Sequence, residues 1–141
     1  MDAKALHIGD PALYINRELS LLEFNRRVLE QAKDVTNPLL ERLKFLCIAS
    51  RNLDEFFEIR VAGLKEQVAF AAGQSGPDQM SAQEQLRAIS AGAHALVAEQ
   101  YQVLNELLLP ALADENIHFL KRGEWNTRQA AWVRRYFNRE L

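Results

Sequence analysis

Apolar positions recur at helical spacing through most of this chain. Leu21, Phe24, Val28, Leu29 and Ala32 fall on one side of a helical repeat with charged positions between them, and predict a first amphipathic helix to about Lys33. Ser20 and Glu23 have the spacing of a capping box that would start it. Asn37-Pro38 marks the next start, because asparagine caps well and proline is tolerated in a first helical turn. Leu39, Leu43, Leu46, Cys47 and Ser50 then share a face, and the short connection implies an antiparallel pair.

The pattern predicts a third helix from Asn52 to about Ala72. Asn52 would cap it, with Asp54 and Glu55 favoured at its positive end. Leu53, Phe57, Val61, Leu64, Val68 and Ala71 alternate steps of four and three, an apolar seam that leaves Phe56 as a second core contact or part of an interface. Gly73-Gln74-Ser75-Gly76-Pro77-Asp78 reads as a connecting loop. Ser81 and Glu84 repeat the capping-box spacing, and Leu86, Ile89, Ala93, Leu96, Val97, Gln100, Leu104, Leu107 and Leu108 carry a long fourth helix. Pro110 kinks that helix or marks its end, with a further turn available from Ala111 to Glu115.

After this the pattern changes. Ile117-His118-Phe119-Leu120 predicts a short strand and Lys121-Arg122-Gly123-Glu124 a turn. Asn126-Thr127 opens another helix, with Ala130, Val133, Tyr136 and Phe137 as its buried side. The expected fold class is therefore all-α: an antiparallel bundle of about four helices over residues 1–113. It is followed by the start of a truncated α+β domain, a short strand plus a helix, over residues 114–141. The chain stops within a helix at Leu141 without a cap, as expected of a piece of a longer protein.

Composition narrows the class. The chain has 141 residues, 48% hydrophobic and 26% charged, enough for one soluble domain or one domain plus the start of another. A formal net charge of -2 gives no electrostatic case for nucleic acid as a partner. No apolar run approaches the roughly 20 residues of a transmembrane segment, and no secretory signal is visible, so a cytoplasmic location is expected. Cys47 stands alone among apolar neighbours and reads as a small buried hydrophobe. His7, His94 and His118 are too scattered for metal-ligand spacing, so no metal site and no catalytic residue are assigned to this chain.

Chemistry concentrates at Ser50-Arg51-Asn52-Leu53-Asp54-Glu55-Phe56-Phe57, where an amide and a cation would stand side by side at a helix mouth suited to an anion or nucleotide. On pattern alone Asn52 reads as a cap. Asp54 and Glu55 suggest a metal or an acid/base pair, but adjacent helical residues point about 100 degrees apart, and helix-start stabilisation accounts for them. Arg17, Arg51 and Arg60 are candidates for a phosphate path, since guanidinium binds phosphate bidentately; surface solvation is the alternative for each. Tyr14 and Trp125 present rings suited to base stacking or to boundary packing. No Walker pattern or kinase catalytic loop is present.

Tyr14-Ile15-Asn16-Arg17-Glu18-Leu19-Ser20, Leu22, Phe24-Asn25 and Arg27-Val28-Leu29 form one block of a wider pattern. It continues through Asn37-Pro38-Leu39, Glu41-Arg42, Phe45-Leu46, Asn52 to Phe56, Arg60 and Leu64-Lys65, and returns weakly at Asn105-Glu106-Leu107-Leu108-Leu109 and near Trp132 and Arg135-Tyr136-Phe137. This pattern resembles the amino-terminal domain of the long, multidomain, phosphohistidine-forming polyphosphate kinases. Leu21 stands where that family commonly has tryptophan. The resemblance implies a parent enzyme that reversibly transfers the terminal phosphate of ATP to polyphosphate through a histidine in downstream domains, where magnesium is also bound. It further implies that Asn52, the asparagine of Ser-x-Asn-Leu-Asp-Glu-Phe, contacts ATP, and that this segment contributes to subunit contacts in a homo-oligomer. The implied partners are ATP, polyphosphate and the remaining domains of the same polypeptide. The alternative from another class is a helical interaction or oligomerisation module with no ligand.

Overall fold

A computed structural model describes residues 7–70 and 76–140. Among them the chain forms four helical rods and no strand. The expectations for Ala71, Ala72, Gly73, Gln74, Ser75 and Leu141 lie outside the described residues.

The first rod is α1 (Arg17–Lys33), and it starts one turn before Ser20. Asn16 is the cap: its Oδ1 accepts from the N–H groups of Glu18 at 3.0 Å and Leu19 at 3.1 Å. Ser20 lies inside the helix, its N–H bonded to the Asn16 carbonyl. The Asn16 Nδ2 donates to Asp78 Oδ2 at 2.6 Å, so one amide both starts α1 and ties down the approach to the third rod.

The expected second and third helices are one rod. α2 (Leu39–Glu55) passes without a break into a π-helical stretch, Phe56–Val61, and then α3 (Ala62–Ala69). Asn52 is therefore no cap; its carbonyl accepts from the Phe56 N–H inside continuous helix. The physical reason is an unbroken buried face, Leu46, Ala49, Leu53 and Phe56 at steps of three and four, with no glycine or proline to interrupt it. The π-helical turn then inserts one residue, so the next buried position after Phe56 is Val61, five residues on. Phe57, expected in the seam, is 40% exposed, while Phe56 takes the core position that was one of its two readings, at 7% exposed.

The third rod repeats the device. α4 (Ala82–Gln102) starts on the expected capping box between Ser81 and Glu84, runs into a π-helical stretch Val103–Leu108, and ends as α5 (Leu109–Asp114). Val103 and Leu108 are buried five residues apart, while Leu107, expected inside, is exposed and Leu104 is only partly covered. Pro110 falls just after the π-helical stretch; it has no N–H to give to the preceding turn, yet the rod continues through it to Asp114. Termination comes at Asn116, whose left-handed φ of 60° lets its N–H reach the Ala113 carbonyl and the Ile117 N–H reach that of Leu112.

Side-chain links give the arrangement. Arg42 bonds the Ala32 carbonyl, Asn25 that of Ala49, and Arg60 reaches Glu18, so the 39–69 rod runs antiparallel to α1. Arg26 and Lys33 both reach Glu99 on α4, and a Cβ on Gly92 would lie 3.3 Å from Leu22 Cδ1, so α1 and α4 run parallel and close. These three rods share one core around Leu29, Ile89, Leu96, Val103 and Leu108. Fully burying each large aliphatic there contributes about 1.5–3 kcal/mol.

Three further expectations differ from what the described residues show. Cys47 is exposed, because the inward positions of α2 are Arg42, Leu46, Ala49 and Leu53. Residues 117–120 form no strand: no neighbouring strand lies beside them among the described residues, and Phe119 and Leu120 are exposed. The turn that follows is a 3-10 turn, Arg122–Glu124. α6 (Thr127–Glu140) opens on reciprocal bonds between Asn126 and Gln129 but buries no residue: of the expected inner face, Ala130, Tyr136 and Phe137 are exposed and Val133 is only partly covered.

Candidate functional site

Between α1 and the junction of α2 with its π-helical turn lies a largely apolar cleft of about 270 Å³. Leu21, Leu22 and Phe24 line it from α1; Leu53, Phe56 and Ile59 line it from the opposite rod. Its polar groups are Asn25, Asn52, Glu55 and Arg60. The π-helical insertion makes this possible, since Phe56 fills the floor while Ile59 and Arg60 remain at the rim.

Asn52 stands on the α2 wall, partly covered. Its Nδ2 donates to Asn25 Oδ1 at 3.2 Å, and Asn25 Nδ2 donates in turn to the Ala49 carbonyl at 2.8 Å. Asn25 is 4% exposed, a polar residue on the α1 face that also buries Leu22, Leu29, Ala32 and, at its start, Glu18. The Asn52 Oδ1 has no hydrogen-bond partner among the described residues.

Arg60 forms a fork on Glu18, Nε to Oε2 at 2.9 Å and Nη2 to Oε1 at 2.5 Å. These bonds hold the guanidinium pKa above its ordinary value, so it is charged at any working pH. Glu18 is buried, and half-buried Arg60 presents its remaining donors at the rim. Arg17 and Arg51 are exposed, make no ion pair among the described residues, and do not line the cleft. Arg27 adds a cation 5.8 Å from the centre of the Phe24 ring.

The structure thus brings Asn52 and Arg60 to one cleft and leaves Arg17 and Arg51 outside its wall. Sequence reasoning missed Asn25 and Glu18. Their signal was available: polar residues at positions where the helical repeat calls for hydrocarbon, each needing a buried partner.

The histidines are elsewhere. His94 Nδ1 lies 2.7 Å from the Ser90 carbonyl one turn away, and His7 Nδ1 accepts from Gly9 N–H at 3.2 Å. No three His, Cys, Asp or Glu side chains among the described residues are placed to hold a metal ion. No helix among them is long and apolar enough to cross a membrane.

Comparison with known proteins places this geometry in a family. Residues 14–120 match the polyphosphate kinase N-terminal domain. The chain is 54% identical over 137 residues to the polyphosphate kinase of Pseudomonas syringae pv. tomato, covering 97% of this chain and 19% of that protein. It is 55% identical over 134 residues to that of Pseudomonas aeruginosa, covering 95% and 19%. For the polyphosphate kinase of Burkholderia cenocepacia the figures are 52% over 127 residues, covering 90% and 18%. The chain therefore spans about a fifth of the length of these relatives. No solved structure matches it.

Proposed function

This chain belongs to the polyphosphate kinase N-terminal domain family, and on that premise we propose that it forms the nucleotide end of an ATP:polyphosphate phosphotransferase. The full-length polypeptide reversibly moves the terminal phosphate of ATP to polyphosphate through a histidine outside this segment. Asn52 contacts the ATP base from the cleft wall. A carboxamide suits a base edge because it offers both a donor and an acceptor. Arg60 attracts phosphate at the rim, and Arg17 and Arg51 extend a cationic path beyond it.

The observation that carries this reading is the cleft itself: Asn52 and Arg60, two turns apart on one rod, line one apolar recess closed on its other side by α1, inside the matched region. The covalent step belongs to the histidine outside this segment, which leaves positioning and positive charge near the phosphates as what this segment can supply. Magnesium, as the family resemblance implies, is bound by the remaining domains. Residues 114–141 begin the next domain, with Trp132, Tyr136 and Phe137 as surface it covers. The segment also takes part in subunit contacts of a homo-oligomer, and the enzyme is cytoplasmic.

The test uses labelled ATP, magnesium and polyphosphate. The full-length enzyme should acquire acid-labile label on a histidine beyond this segment, and the isolated chain should acquire none. Label on His7, His94 or His118 would overturn the assignment. The competing reading, a ligand-free interaction module, draws on the uncovered α6 aromatics, Trp132 stacked on Tyr136 at 5.3 Å. It requires full-length activity to survive every cleft substitution.

A further inference from the structure

Asn25 occupies a position where hydrocarbon would be expected, and its amide must place both of its ends. The Ala49 carbonyl, 2.8 Å away, only accepts, so the end of Asn25 beside it is Nδ2. The oxygen end is then turned to Asn52 at 3.2 Å, and only the nitrogen of Asn52 can meet it. A backbone carbonyl of α2 thereby dictates, through Asn25, which way the Asn52 amide faces. The Asn52 Oδ1 is left for the cleft, together with the second hydrogen of Nδ2.

We propose that Asn25 is a positioning residue that holds the Asn52 carboxamide with Oδ1 presented as an acceptor, so that the cleft selects a base carrying an exocyclic amine over its 6-oxo counterpart. This rests on the nucleotide reading of Asn52. An adenine amine donates to Oδ1 while the adjacent ring nitrogen accepts from Nδ2. A 6-oxo group at the same place sets acceptor against acceptor. Turning the Asn52 amide to suit it breaks the bond to Asn25 and strands a buried oxygen, which is the more costly loss.

The full-length enzyme tests this through its Michaelis constants for ATP and for inosine triphosphate. Wild type should favour ATP. Asn25→Leu frees the Asn52 amide to turn, and the preference for ATP should shrink by about fivefold to tenfold, the scale of one hydrogen bond. Asn25→Asp keeps an acceptor for Asn52, so its preference should stay near wild type even though Tm falls, because a carboxylate then faces the Ala49 carbonyl. If Asn25→Leu does not fold, Asn25→Ala carries the same expectation. A purely structural Asn25 would lower Tm and leave the nucleotide ratio unmoved, and that result overturns the proposal. Asn52→Ala, assayed in parallel, separates the two failures. If it raises the Michaelis constant for ATP while the Asn25→Leu ratio is unmoved, only the positioning role falls; if it has no effect on ATP, the nucleotide reading falls and takes this inference with it.

Discussion

Arg60 and Glu18 join the π-helical turn of the second rod to the first turn of α1 through a two-bond fork, at 2.9 and 2.5 Å. The Glu18 side chain is 10% exposed and that of Arg60 33%, so the pair sits at the edge of the core, where water screens it only in part. Glu18→Ala should destabilise the chain by about 1–3 kcal/mol, the range for a charged hydrogen bond whose partner is left behind. Urea denaturation of Glu18→Ala, Arg60→Ala and the double variant gives the coupling. Additive losses would mean that the fork contributes nothing to the fold.

The π-helical turn makes a sharper prediction, because Phe56 and Val61 lie five residues apart on one buried face. Deleting exposed Glu58 turns that step into an ordinary step of four and keeps Val61 and Leu64 directed inward. Deleting exposed Lys44, in regular α2, rotates Leu46, Ala49 and Leu53 by about 100 degrees relative to Arg42. Thermal unfolding should remain cooperative in the first variant and be lost or shifted far lower in the second. Equal damage from both would show that the insertion is not a spare residue.

Much of the bundle was legible because apolar spacing and caps are local. The Ser81–Glu84 box, the α1 face through Leu29 and Ala32, and the turn at Asn126 all follow from residues within a few positions of one another. The π-helical turns were not legible. A single inserted residue leaves the composition unchanged and only shifts phase, so the spacing directs Phe57 and Leu107 inward, leaves Phe56 open between core and interface, and passes over Val103. Asn52 was misread as a cap because asparagine is a good one; what continued the helix was the core contact of Leu53 and Phe56, which propensity does not contain. The cleft was half legible: Asn52 and Arg60 stood out, whereas Asn25 and Glu18 gain their meaning only from partners on another helix.

Acid should loosen the start of α4. The Ser81 hydroxyl and then its backbone N–H donate to the Glu84 carboxylate, holding its pKa below the ordinary 4.5. A lowered carboxylate pKa stabilises the fold above the unfolded value and is lost as pH falls through the folded one. The Glu84 carboxyl, followed by NMR, should titrate below its ordinary midpoint, and Ser81→Ala should move it upward. An unchanged midpoint in that variant would remove the box as the cause.

The most direct measurement concerns Asn52 in the full-length enzyme. Since it lies inside α2 and donates to Asn25, Asn52→Asp would set oxygen against oxygen, and Asn52→Ala is the cleaner probe because alanine is the best helix former. The nucleotide role predicts that Asn52→Ala raises the Michaelis constant for ATP by about fivefold or more. The Michaelis constant for polyphosphate should be unchanged, and the loss of stability should be about 1–3 kcal/mol, the cost of leaving the Asn25 Oδ1 without its donor. An unaltered ATP dependence in that folded variant would contradict the account, leaving Asn52 a helix-to-helix contact and nothing more.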